Sequence, residues 1–365
     1  MAQLTSPYDL AIVGGGIVGA LAAYLAARRR PGWRVVMLER SLVGHGATAY
    51  SGGLDHAYGI SPAQRVLAAE SGAVYREMRA ALPGLPIFDV PFYGLVHGAR
   101  AAEVASRFAH DRARRGEGED LRRLRATYPD LAPGADQVLL AGCPAAYGVP
   151  GGVAQALVMH LRARAGLECR EGTAVRGVDA VDGGFSLALA DGEALKAHRV
   201  LAATGPWMLE GPGSGPMRAA GARIKKVVAL HVRRAPAPDD AAVFFFDDDA
   251  FLLPLPHRGH WLFSFASPEW DVRPDASSLS IGAADRELAL GILERYAPSL
   301  VPLCDGGRVF CDAYTPERLP VAAAHVPGYV SAGGCCGSGF RLAPAIAGRA
   351  LELLPGFRDS PPARA

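Results

Sequence analysis

The run Leu10-Ala11-Ile12-Val13-Gly14-Gly15-Gly16-Ile17-Val18-Gly19 constrains this chain more than any other part of it. Four uninterrupted apolar residues predict a buried strand, the glycines a turn, and residues 20–29 a helix of strong formers with small residues to lie against a sheet. Gly14 permits the tight turn, Gly16 lets backbone N–H groups approach a pyrophosphate, and Gly19 lets the helix pass close to the strand. Ile17 and Val18 open that helix, whose positive N-terminus then faces the phosphates. A second strand over residues 33–38 ends in Glu39, twenty residues after Gly19. An acidic side chain there accepts hydrogen bonds from both ribose hydroxyls of an adenosine and repels a 2′-phosphate. Strand, turn, helix and acid in this order predict a dinucleotide site.

The chain has 365 residues, more than a single core usually organises, so two intertwined lobes are expected. Half of the residues are hydrophobic and 20% charged, with 44 Gly and 28 Pro, the profile of a turn-rich globular α/β chain. A net charge of +2 argues against nucleic acid as a partner. Cys143, Cys169, Cys304, Cys311, Cys335 and Cys336 match neither a zinc site nor a disulfide framework, which suits a reducing compartment. The polar opening residues do not read as a signal peptide, and no stretch is apolar for long enough to span a bilayer. A cytoplasmic protein without an integral membrane segment, a metal or an internal repeat is the expectation; the oligomeric state is left open.

After Glu39, residues 40–54 are small, polar and turn-rich where a nicotinamide-binding domain would begin another element. Such a strap covers a longer cofactor. Three further segments follow in order: Gly172-Thr173-Ala174-Val175, then Val200-Leu201-Ala202-Ala203-Thr204-Gly205-Pro206-Trp207, then Gly333-Gly334-Cys335-Cys336-Gly337-Ser338-Gly339-Phe340-Arg341. In this order and spacing the chain, from near residue 9 to near 353, resembles the D-amino-acid oxidase superfamily, which includes glycine oxidase and monomeric sarcosine oxidase. The resemblance implies FAD. Arg40, Thr48, Ser51 and Gly52 would belong to the covering strap and Val175 would meet the adenine. Thr204, Gly205 and Trp207 would pass the cofactor, with Gly337, Ser338, Gly339, Phe340 and Arg341 beside the isoalloxazine. Gly333-Gly334-Cys335-Cys336 replaces the Gly-Asp pair of flavin hydroxylases, so hydroxylation is the less favoured chemistry.

The implied fold class is α/β (α+β overall): a Rossmann-type FAD-binding domain interleaved with an antiparallel-sheet substrate domain. The first is expected over residues 1–85, 146–216 and 308–355, the second over 86–145 and 217–307, with a disordered tail over 356–365. Residues 222–232, 242–246, 251–256 and 260–266 read as strands of the substrate sheet. Asp247-Asp248-Asp249 falls between two of them and reads as a solvated hairpin rather than a metal site, because consecutive side chains diverge.

In this superfamily the flavin takes a hydride from the carbon next to a nitrogen, while the protein supplies orientation and a carboxylate clamp. Arg341 stands where sarcosine-oxidase relatives carry a Lys that meets the substrate carboxylate, and a guanidinium makes a two-pronged match to that group. His56 and Tyr58 follow the strap and would point into the cavity. Asp312 stands where many amino-acid oxidases carry a carboxylate-binding Arg; an Asp would instead suit a cationic amine. Leu262 lies on the strand where sarcosine oxidases carry a Lys that speeds the reaction with oxygen, so another electron acceptor is a live alternative to oxygen unless Lys225 or Lys226 substitutes. Covalent flavin attachment through Cys311 or His45 is the less favoured outcome. The leading activity is oxidation of a small amine or amino acid to an imine. The alternatives are a flavin dehydrogenase of 2-hydroxy acids, a tailoring enzyme for carrier- or protein-bound substrates and, last, a non-enzymatic NAD-binding module.

Overall fold

Leu10–Val13 lies near the middle of a six-stranded sheet in the computed structural model, which describes residues 7–110, 112–131, 133–275 and 277–358. The strand order is Val321–Val326, Tyr329–Gly333, Val200–Ala202, Leu10–Val13, Val35–Leu38, Glu168–Arg170. All neighbours run parallel except the edge strand Val321–Val326. Both faces of this sheet are covered, which is why its central strands are continuous apolar runs rather than alternating ones. One face packs the helices Ile17–Arg29, Pro150–Arg164 and Gly339–Glu352, with Pro62–Ala81 outside them. On the other, Phe185, Leu187 and Leu195 of a small antiparallel sheet meet Ala11, Val13 and Val36.

The glycine turn is as tight as its residues require. Gly14 has φ +106°, and a Cβ there would stand 2.4 Å from the carbonyl oxygen of Ala203. A Cβ on Gly19 would stand 2.0 Å from the carbonyl oxygen of Gly14. Neither position accepts a side chain without moving backbone.

An eight-stranded sheet forms the second body. Its order is Cys304–Tyr314, Arg223–Val232, His260–Phe265, Ala250–Leu255, Ala242–Phe245, Phe92–His97, Gln137–Ala141, Arg114–Arg115. Only Ala242–Phe245 and Phe92–His97 pair in parallel. The strand period of two divides its side chains. Val228, Leu230 and Val232 turn to the helix Ala283–Tyr296, whereas Val227 and Ala229 turn to the opposite face, together with Leu262, Arg308 and Phe310. That opposite face looks toward the first sheet. Strands Leu54–Asp55, Ala146–Gly148 and Ile87–Asp89 form a short fourth sheet.

Asp247, Asp248 and Asp249 sit at the tip of the hairpin joining Ala242–Phe245 to Ala250–Leu255, and their carboxylates diverge. Asp247 pairs with Arg100, Asp248 with Arg295, and Asp249 with Arg318. At the C-terminus the chain stays packed beyond residue 355, unlike the expected tail. Phe357 is 3% exposed, edge-on to Trp33 at 5.9 Å and beneath the guanidinium of Arg29, so one aromatic ring anchors the segment. The remainder of that tail, residues 359–365, lies outside the described residues. No described helix is long and apolar enough to cross a membrane.

Candidate active site

Between the two large sheets runs a trough of three adjoining chambers. The first, of about 760 Å³, is bounded by Glu39, Val175 and Trp207. It shares Gly16, Thr48 and Gly205 with a second of about 160 Å³, roofed by Val227, Leu262 and Phe310. The second shares Ser51, Gly52, Gly337 and Phe340 with a third of about 170 Å³.

At the first end the Glu39 carboxylate is oriented by two backbone donors, Gly15 N at 2.7 Å and Ser41 N at 2.8 Å. Arg40 lies 3.7 Å over the ring of Trp207, and together they wall the chamber. Thr48 Oγ1 accepts from Ile17 N at 3.0 Å, tying the strap to the helix start. Gly16 supplies no side-chain cap and the first turn holds no acid, so the positive end of the helix stays open to an anion. A second helix, Gly339–Glu352, begins in the same way, without a side-chain cap or an acid in its first turn. The turn before it needs left-handed backbone at Gly334, Cys336 and Gly337. Asp312 holds that turn, its Oδ2 accepting from Gly337 N at 2.8 Å and its Oδ1 from Ala313 N. Burial pushes the Asp312 carboxyl up to about 6, against the pull of these two donors. Two uncapped helix N-termini with an acidic residue at the far end fit an extended dinucleotide lying along the trough.

The third chamber gathers Arg341, His56, Tyr58 and Ser338. Arg341 is 9% exposed; its Nη2 donates to Ser338 Oγ at 2.7 Å and its Nη1 lies 3.1 Å from Nε2 of His56. Burial, then the guanidinium itself, holds the His56 imidazole well below its usual range, so the ring is neutral and can accept from Arg341. His56 stacks on Tyr58 at 5.6 Å and on Phe92 and Phe244 at 5.3 Å. Tyr58 in turn accepts from Arg107 at 3.3 Å. The Nε–H of Arg341 is buried with no protein partner. Asp55 balances part of the guanidinium charge, although burial pushes its own carboxyl up to about 6.

Asp312 lines the second chamber and does not join this group. Cys311 lines the same second chamber, its thiol pushed up to about 12 by burial. His45 lines the first chamber, far along the strap from Arg341. Lys226 is held at 2.8 Å by both Glu269 and Asp285. Two residues here, Gln64 and Arg308, had no signal in the sequence, whereas Asp55 directly precedes His56 and Arg318 follows Thr315-Pro316-Glu317 in the run that contains Asp312. Among the described residues no group of three His, Cys, Asp or Glu is arranged to hold a metal ion.

This layout, a parallel sheet with an open helix N-terminus facing an antiparallel roof across a trough, suits an enzyme that holds an extended dinucleotide. The family model described as DAO, FAD dependent oxidoreductase, matches residues 9–353, and the chain belongs to that family. It is accordingly an FAD-dependent oxidoreductase, and FAD is its cofactor. Among solved structures it is similar to glycine oxidase from Geobacillus kaustophilus, at 21% identity over 96% of this chain and 95% of the other, with a TM-score of 0.74. L-proline dehydrogenase from P. horikoshii is similar at 18% identity, 96% and 94% coverage and a TM-score of 0.78. L-alpha-glycerophosphate oxidase from Mycoplasma pneumoniae, with FAD bound, is similar at 17% identity, 96% and 95% coverage and a TM-score of 0.76. A sequence search of curated proteins found no match.

Proposed function

We propose that this protein oxidises the C–N bond of a small amino acid or amine to an imine, with the substrate carboxylate held by Arg341. The observation that carries the reading is the buried guanidinium of Arg341, which lines a chamber that adjoins the cofactor's. A charged donor in that position favours an anion strongly, because little water is present to compete. Bound FAD supplies the two-electron acceptor for the hydride. Arg341 fixes the carboxylate, and neutral His56 and Ser338 fix Arg341. Phe244, Phe251 and Tyr58 wall the chamber with aromatic surface that excludes water. Asp312 serves as a positioning residue that sets the Gly337 turn beside the cofactor.

The names of two similar structures, a glycine oxidase and an L-proline dehydrogenase, support C–N chemistry. The name of the glycerophosphate oxidase supports C–O chemistry, and the second reading is oxidation of a 2-hydroxy acid, whose carboxylate the same clamp would hold. Anaerobic mixing with amino acids, amines and 2-hydroxy acids, followed by flavin bleaching, separates the two. Bleaching by amino acids with release of ammonia or an amine is the expected result. Bleaching by hydroxy acids alone, or by no free small molecule, would overturn it.

A further inference from the structure

Besides Arg341, the third chamber is lined by a cation that no carboxylate among the described residues holds. Lys225, on the strand Arg223–Val232, lines it on the sheet side, away from the helix start that carries Arg341. Its ammonium lies 5.0 Å over the ring of Trp270 and 5.3 Å from that of Tyr314. Burial holds it below the usual lysine range, with Asp249 acting against that and Arg318 adding to it. The adjacent Lys226 differs sharply, since two carboxylates hold it in place. Among the described residues Asp249 is the one acidic residue lining the chamber, and it already stands 3.5 Å from Arg318. Lys225 is therefore left without a carboxylate of its own within ion-pair distance, unlike Lys226 and Arg318. Rings can stabilise a desolvated ammonium without an anion, but they also fix it in place as a ready-made anion contact.

On the reading that the enzyme oxidises amino acids, we propose that its substrate carries a second acidic group: the α-carboxylate meets Arg341 and the distal acid meets Lys225. The two cations stand on different walls of one small chamber. Neither guanidinium nor ammonium shares a hydrogen-bond partner with the other. A short dicarboxylic amino acid would connect them and put its α-carbon on the cofactor side, where Ser51, Gly52, Gly337 and Phe340 border both chambers.

The discriminating experiment uses the FAD-loaded protein and compares each dicarboxylic amino acid with its own amide, aspartate with asparagine and glutamate with glutamine, in both enantiomers. Each pair differs in the distal charge and hardly in shape. Anaerobic flavin bleaching should favour the acid over the amide on the order of 30-fold in at least one pair, the size of a charge-assisted hydrogen bond. Lys225→Met should bring that ratio to within about threefold, and Lys225→Glu should turn it toward ornithine or lysine. Binding of unreactive glutarate against butyrate, read from the flavin absorbance of the wild-type protein, tests the same preference without a variant or turnover. Amino acids that bleach the flavin with acid and amide equal would sink the second-acid subsite and leave the proposed reaction standing. Equal losses for acid and amide in Lys225→Met would assign Lys225 to the α-carboxylate and overturn the subsite. A flavin that no amino acid bleaches would overturn both readings.

Discussion

Arg341 is a cation placed where solvation is poor, and its surroundings are arranged to keep it charged. Asp55 balances it, Ser338 accepts from it, and His56 stays neutral beside it. Arg341→Met should keep FAD bound and lower kcat/KM for carboxylate substrates on the order of 100-fold, the loss of a desolvated charge-assisted pair. Amines without a carboxylate should suffer far less in the same assay. Equal losses on both would remove the clamp, and loss of flavin would assign the residue to the cofactor. Asp312 makes a prediction about pH. Its carboxyl titrates near 6 in the folded protein and near its ordinary lower value when unfolded. The folded state thus holds the proton more tightly, and the stability this confers is full below about pH 4 and lost as pH rises through 6. Asp312→Asn escapes that loss while keeping an acceptor for Gly337 N. The melting temperature of the variant minus that of wild type should therefore rise between pH 4 and 7, by on the order of 3 °C. A difference that stays constant with pH would show that the buried carboxyl is not the titrating group.

At the scale of elements, the first strand, turn and helix work as one unit because backbone meets backbone inside it. Gly19→Ala would drive a methyl group into the carbonyl of Gly14, 2.0 Å from its ideal position. The expected cost is about 1–3 kcal/mol of stability, typical of overpacking, together with weakened FAD binding. Chemical denaturation and the flavin content of the purified variant measure the two effects; an unchanged protein would mean that the helix lies farther from the strand. Glu39 sits at the end of the second strand with its oxygens already aligned by Gly15 and Ser41. Glu39→Ala should weaken FAD by about 1–3 kcal/mol, the hydrogen bonds to a charged acceptor. Titration of apoprotein with FAD would reveal an error in this placement as an unchanged affinity.

At the scale of the molecule, the trough exists because two sheets face each other. Val227, Ala229, Leu262 and Phe310 make its roof largely apolar, and no Lys lines the second chamber among the described residues. Substrate-reduced flavin should consequently reoxidise slowly in air compared with a good artificial acceptor, as followed by stopped-flow absorbance. Fast reoxidation would direct attention to Arg308, the cation on this stretch of the roof, and Arg308→Met would then test its part.

The dinucleotide half was legible because its interactions are local: strand, glycines, helix and Glu39 fall within thirty residues, and sterics fix what each must be. Four of the eight strands of the second sheet were legible from their β-rich runs and turn residues, but Cys304–Tyr314, expected to be split at residue 308, belongs to that sheet throughout. The third chamber was legible only in pieces. Arg341 and His56 are 285 positions apart, Asp312 and Gly337 25 apart, and Lys226 finds Asp285 at a separation of 59. No local period encodes such meetings. Nor does sequence reveal that Asp312 is spent on a backbone turn while Lys225, its partner across the two strands, lines a cavity. By itself the sequence determined the cofactor, the family and the strands that carry the site, because short-range sterics and hydrophobic period specify them. Tertiary structure alone decided which charges share a chamber and which are already neutralised, because desolvation and pairing depend on the side chains that packing brings together from distant parts of the chain.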